Sequence, residues 1–139
     1  AMRYLIDTNI FIYLATDPER LSKDVAALLE YDADLYMSAE SVKEVIVAFR
    51  NKGFTKRRWK TESDAINSIG DDYRITVLPV DMNVMRTYSK LELNVREGHK
   101  DPYDHIIISH AMTLHMPLIS SDHKFLFYKQ QGLDLIYNE

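Results

Sequence analysis

The sequence predicts an α/β domain with a central, mostly parallel sheet of about five strands flanked by helices. Three observations carry this. Short apolar runs recur along the chain and stop at polar residues, and stretches with helical spacing separate them. The first run, Tyr4-Leu5-Ile6, gives way at once to Asp7-Thr8-Asn9. A short run that is apolar at every residue suits a strand buried on both faces, as in a parallel sheet covered by helices. The polar trio then lies at the strand's C-terminal end, where such a fold opens its crevice to ligands. The same trio can instead cap a helix beginning near Ile10.

Taken in order, Ile10 to Leu14 opens a helix that Pro18 and Glu19 break. A second helix starts at Leu21-Ser22 and runs to about Glu30, with Ala26, Ala27, Leu28 and Leu29 on its buried side. Asp32 to Asp34 makes a turn into a second strand at Leu35-Tyr36-Met37. Glu40 to Asn51 is helical, since Val42, Val45, Ile46 and Phe49 recur at i, i+3, i+4, i+7, and Gly53 stops it. A more polar helix is expected over Thr55 to Ile69, ended by Gly70, and a third strand over Ile75 to Leu78, closed by Pro79. Asp81 caps a helix from Met82 to Leu93, and Asp101-Pro102 opens a strongly apolar helix reaching His115. Pro117 to Ser120 is the fourth strand. Asp122, a short helix, Gly132 and a last strand over Leu133 to Tyr137 complete the chain.

The bulk numbers exclude several classes. A chain of 139 residues is the size of one domain, expected over residues 2–139, and Ala1 ahead of Met2 reads as an expression scar. No apolar run approaches a membrane span, and the N-terminus has no signal-peptide layout, so no membrane partner is expected. Zero cysteines exclude disulfides, thiol catalysis and Cys-ligated zinc, and a reducing cytoplasm fits. The net charge of −4 is the wrong sign for a general phosphate-backbone binder. Either nucleic acid is not the ligand, or the acid is concentrated where cations mediate the contact.

The acids favour the second alternative. Asp7 follows the first strand, Glu44 lies early in the helix after the second, and Asp122 follows the fourth. Asp101 and Asp104 open the helix before the fourth strand, and topology brings that end to the same sheet edge if the preceding helix and loop return the chain there. Each has a capping explanation: Asp101 ahead of Pro102, and Ser41-Val42-Lys43-Glu44 as a capping box. Capping does not require the caps to converge on one edge, however. Two ionised carboxylates about 4 Å apart repel by about 4 kcal/mol at an effective dielectric near 20. Converging acids therefore protonate or gather a hard divalent cation. An oxygen-rich set suits Mg²⁺ or Mn²⁺ better than zinc, and such clusters serve phosphodiester hydrolysis.

These residues resemble a known family. The segments LIDTNIFIYL (5–14), SAESVKEVIV (38–47), KDPYDHIIISHA (100–111) and LISSDHKF (118–125) look like the four acidic motifs of PIN domains, most of all VapC-type toxins of toxin–antitoxin pairs. The resemblance implies a metal-dependent endoribonuclease with Asp7, Glu44, Asp104 and Asp122 as its acids. Asp7, Asp104 and Asp122 would hold the metal, and Glu44 would help position metal or attacking water. It also implies an RNA substrate, a protein antitoxin partner and a homodimer. Asp101 belongs to a DP-aromatic-D variant of the third motif, and Ser120 falls where the family usually carries a hydroxyl. Two positions depart from the pattern: His105 stands where the variant often has Arg, and Lys124 where some relatives carry a further acid.

The remaining features are weighed against this. The basic run Lys52 to Lys60 could meet RNA with Trp59 stacked on a base, pack its tryptophan on the core or a dimer partner, or meet an antitoxin. The five histidines are expected to make no ligand set: His105, His110 and His115 recur every five residues, which scatters them around a helix, and HExxH is absent. A covalent-aspartate phosphatase wants a second Asp two residues after the first, where this chain has Asn9. A catalytically silent PIN-fold module that only binds a protein partner is the other alternative.

Overall fold

The computed structural model describes residues 1–52 and 59–139, with the side chain of Lys52 outside that description. Five strands, β1 (Met2–Ile6), β2 (Ala33–Ser38), β3 (Thr76–Leu78), β4 (Leu118–Ser120) and β5 (Leu135–Tyr137), form one sheet in the order β3-β2-β1-β4-β5. Every pairing is parallel. The helices between them are α1 (Thr8–Thr16), α2 (Lys23–Glu30), α3 (Ala39–Lys52), α4 (Glu62–Asp71), α5 (Met82–Lys90) and α6 (Pro102–Leu114). Short 3-10 segments occupy Pro18–Arg20 and His123–Gln131. The result is the single α/β domain with a parallel five-stranded sheet that the alternating runs predict.

Strand alternation explains the layering. Successive side chains point to opposite faces, so a central strand apolar at each position feeds two cores. Tyr4 and Ile6 join Ile10, Phe11, Val25, Met37, Val45 and Ile69 on one face. Leu5 joins Ile107, Ile108, Ala111, Leu118, Phe125 and Tyr128 on the other. Ile119 and Leu118 divide between the faces in the same way. Leu5, Ile6, Leu118 and Ile119 are fully buried, each worth roughly 1.5–3 kcal/mol relative to exposure.

Several boundaries differ from the sequence reading. Of the helix expected over 55–69, residues 55–58 lie outside the described residues, as does the expected stop at Gly53. Within the described part α4 starts only at Glu62, because Thr61 and Asp64 make a reciprocal capping box ahead of it. Gly70 does not end α4 but lies inside its last turn. Trp59 precedes the helix and packs on the core, 8% exposed and stacked on Phe11 at 6.0 Å between ring centres. Of the readings offered for Trp59, packing inside the chain is the one observed. Asp81 does cap α5, but the helix stops at Lys90 rather than Leu93. The chain from Leu91 onward turns back instead, and Asn94 is buried beneath it.

The sheet order sets the position of the site. From β1 the chain winds outward through β2 and β3, then crosses to β4 and β5 on the other side. The strand order therefore reverses between β1 and β4, and a crevice opens outside the carboxyl ends of these two strands. Asp7 follows β1, and Ser120 and Asp122 follow or end β4. The switch point is lined by acids.

Candidate metal centre

Asp7 is held by what surrounds it. Its Oδ1 accepts from the Thr8 N–H at 2.8 Å, capping α1, while its Oδ2 accepts from the Ser120 hydroxyl at 2.8 Å. The two readings of this residue, cap and crevice acid, thus coexist. The Ser120 oxygen also accepts from the Asp122 N–H at 3.1 Å, so one hydroxyl ties the ends of β1 and β4 together. Asp122 Oδ1 accepts from the Lys124 N–H at 3.0 Å and caps the 3-10 segment that follows.

Glu44 sits on the second turn of α3 and turns inward, where its Oε1 accepts from the Thr8 hydroxyl at 2.6 Å. The capping-box reading of Ser41 to Glu44 does not hold. The helix begins at Ala39, two residues before Ser41, and the Ser38 hydroxyl accepts from the Glu40 N–H at 3.2 Å. Ser41 is buried, and its hydroxyl has no hydrogen-bond partner among the described residues.

Asp101 caps α6 through the Tyr103 N–H at 2.9 Å, with Pro102 at the first helical position as the sequence suggests. One turn on, Asp104 faces the acids. The helix does return to this edge: one oxygen each from Asp7, Glu44 and Asp104 lie within 4.8 Å of one another. A second set shares Asp104, since His99, Asp104 and Asp122 also offer ligand atoms within 4.8 Å of one another. All four anticipated acids therefore meet in one pocket, with Asp104 common to both sets and Asp101 exposed at its rim.

The electrostatics follow from burial and like charge. Desolvation pushes Asp7 up to about 6, against the Ser120 and Thr8 hydrogen bonds that favour its charged form. Glu44 rises to about 7, again chiefly by burial, with the Asp7 charge adding to it. Asp104 rises to about 8 through burial and then the charges of Asp7, Asp101, Glu44 and Asp122. Without a counter-charge the pocket holds protons near neutral pH. A divalent cation satisfies the same need, and the oxygen-dominated donor set fits a hard ion.

His99 is the site residue that sequence reasoning missed, along with the inward-facing hydroxyl of Thr8. His99 is 3% exposed, and its Nε2 lies 3.0 Å from Asp104 Oδ2. Its position in a loop gives it no periodicity to flag it. Only its place five residues before Asp104 hints at proximity. The expectation that the five histidines make no ligand set does not extend to His99, which stands in a group with Asp104 and Asp122. His105 packs inside with Nε2 against the His99 carbonyl, His110 bonds Ser38, and His115 is exposed at the helix end.

The PIN domain family model matches residues 4–130. The chain belongs to the PIN domain family. Among solved structures, this PIN domain is similar to a chain of VapBC2 from Rickettsia felis, with a TM-score of 0.72, 18% identity, and 99% of this chain and 100% of that chain covered. It is also similar to a chain of VapBC-1 from nontypeable Haemophilus influenzae, with a TM-score of 0.69, 27% identity and 98% of each chain covered. A VapBC from Salmonella typhimurium matches with a TM-score of 0.67, 18% identity, and 99% and 98% coverage. The VapC-type likeness read from the four motifs is thereby borne out. No curated protein matches the chain in sequence. Among the described residues no helix is long and apolar enough to cross a membrane.

Proposed function

We propose that this PIN domain, over residues 2–139, is a Mg²⁺- or Mn²⁺-dependent endoribonuclease and the toxin of a toxin–antitoxin pair. The observation that carries the reading is the meeting of Asp7, Glu44, Asp104 and Asp122 at the switch point, with three of them pushed up by burial and mutual repulsion. Asp7, Asp104 and Asp122 would hold the cation. Bound there, it would neutralise charge on the scissile phosphate and make a water nucleophilic near neutral pH. Glu44, held by the Thr8 hydroxyl, would help position the metal or the attacking water. Ser120 keeps Asp7 and Asp122 in register by bonding one and accepting from the backbone of the other.

This arrangement accounts for an acidic protein acting on a polyanion, since the cation and not a basic surface meets the phosphate. A protein antitoxin is the proposed partner because the similar chains from Rickettsia felis, Haemophilus influenzae and Salmonella typhimurium come from VapBC structures. A homodimer and a cytoplasmic location belong to the same proposal. The test is RNA cleavage with Mg²⁺, with and without EDTA, by the wild type and Asp7→Asn. We expect cleavage that EDTA abolishes and that the variant loses by at least about 100-fold. Equal cutting by both proteins, or indifference to EDTA, overturns the reading. Calorimetric titration with Mn²⁺ separates the enzyme from a silent binding module, because a scaffold gives no Asp7-dependent heat.

A further inference from the structure

We propose that His99 is a positioning residue: a buried chain running from the Asn94 N–H through the Tyr128 hydroxyl to the His99 imidazole aims the Asp104 carboxylate. The proposal rests on the metal-dependent reading above and adds to it a device that the acidic motifs do not contain.

The chain is continuous. The Asn94 N–H donates to the Tyr128 hydroxyl oxygen at 3.0 Å, the Tyr128 hydroxyl lies 2.9 Å from His99 Nδ1, and His99 Nε2 lies 3.0 Å from Asp104 Oδ2. Tyr128, Asn94 and His99 are 0%, 1% and 3% exposed, so water does not compete for these bonds. The hydroxyl has one proton. Because the Asn94 N–H already occupies its oxygen as a donor, that proton is free for His99 Nδ1, which leaves Nε2 carrying the N–H toward Asp104. An ionised Asp104 is satisfied by this tautomer and by no other neutral one.

His99 is the only hydrogen-bond partner of the Asp104 carboxylate among the described residues. Asp7, by contrast, has two donors of its own. Asp104 also offers an oxygen within 4.8 Å of Asp7 and Glu44 on one side and of Asp122 on the other, so its aim bears on the whole set of acids. The imidazole cannot swing away. Its ring meets His105 edge-on at 4.7 Å and lies 5.6 Å from the rings of Phe125 and Tyr128. Its backbone carbonyl faces His105 Nε2 at 3.0 Å, and its N–H donates to the Asn94 carbonyl at 3.0 Å. The Asn94 side chain in turn donates to the Lys124 carbonyl at 3.2 Å, two residues past Asp122. The loop before α6 and the 3-10 segment after Asp122 are thus stapled together around one imidazole. Groups that orient a metal-binding carboxylate in this way commonly govern metal affinity by 10–100-fold.

The test uses the full chain with His99→Leu, His99→Gln and Tyr128→Phe, read by calorimetric titration with Mn²⁺, metal-free melting and pulsed EPR of bound Mn²⁺. We expect His99→Leu and Tyr128→Phe to weaken Mn²⁺ binding by about tenfold or more. His99→Gln keeps an N–H for Asp104 and should recover most of that loss. Tyr128→Phe removes a single oxygen, so its metal-free melting should stay close to wild type while its affinity falls. The EPR spectrum of the wild type should lack coupling to a ring nitrogen. Wild-type affinity in both His99→Leu and Tyr128→Phe overturns the proposal. Nitrogen coupling that disappears in His99→Leu overturns it in favour of direct ligation. Equal loss in His99→Gln and His99→Leu, matched by equal loss of melting temperature, overturns it in favour of a purely structural role. If the wild type itself takes up no Mn²⁺, the metal-dependent reading fails first and this proposal falls with it.

Discussion

Asp7 is asked to do two things with one carboxylate: Oδ1 closes the first turn of α1 while Oδ2 receives the Ser120 hydroxyl at the crevice. Asn caps helices about as well as Asp, so Asp7→Asn separates the roles, removing charge while keeping the cap. The raised carboxyls have a consequence for stability. Each holds its proton more tightly when folded than at its ordinary value. The stability this gives is complete below the ordinary carboxyl range and is lost as pH rises through about 6, 7 and 8 for Asp7, Glu44 and Asp104. The metal-free protein should therefore melt lower at pH 8.5 than at pH 5. Asp104→Asn, neutral throughout, should flatten that slope and melt about 5 °C or more above the wild type at pH 8. Added Mn²⁺ should raise the wild type and leave the variant unmoved; scanning calorimetry at several pH values checks all three. Asp7 and Asp122 stood out at this scale because each follows a strand, and Asp104 because it opens a helix, whereas Glu44 on the second turn of α3 was picked out by the resemblance of its motif. The purpose of Glu44 was less legible: S-x-x-E at 41–44 fits a capping box, but a sequence does not fix where α3 starts, and Ser38 holds the first turn instead.

Among the elements, α6 does most to build the pocket, and its two ends are unequal. Asp101 and Pro102 start it cleanly, whereas it ends on His115 in the left-handed region at φ 51°. A side chain there is strained, and glycine is the usual residue. His115→Gly should raise the melting temperature by about 2–4 °C without changing Mn²⁺ affinity, because His115 is exposed at the end of the helix far in sequence from Asp104. A thermal melt alongside a metal titration checks both halves. The strands and most helices were legible from period and punctuation, within a residue or two at most ends. The failures fall where side-chain hydrogen bonds override spacing. Thr61 and Asp64 delay α4 to Glu62, and the buried turn at Asn94, fixed by Tyr128, Glu97 and Lys124, shortens α5. Long-range partners of this kind leave no mark on the local sequence.

For the whole molecule, the topology could be anticipated because a parallel sheet sends every strand's carboxyl end to one edge, so acids after β1, β2 and β4 converge by construction. His99 could not, since its meeting with Asp104 depends on how the eleven-residue connection between α5 and α6 folds back over Tyr128. The crowding of acids has one more effect, visible from outside the protein. With Glu44 and Asp104 pushed up to about 7 and about 8, the metal-free pocket keeps protons near neutral pH that an arriving cation has to evict. Uptake of Mn²⁺ should then acidify a weakly buffered solution, and the apparent heat should change with the ionisation enthalpy of the buffer, more steeply at pH 6 than at pH 8.5. The domain would behave as an ion exchanger, trading hydrogen ions for one divalent ion at its centre.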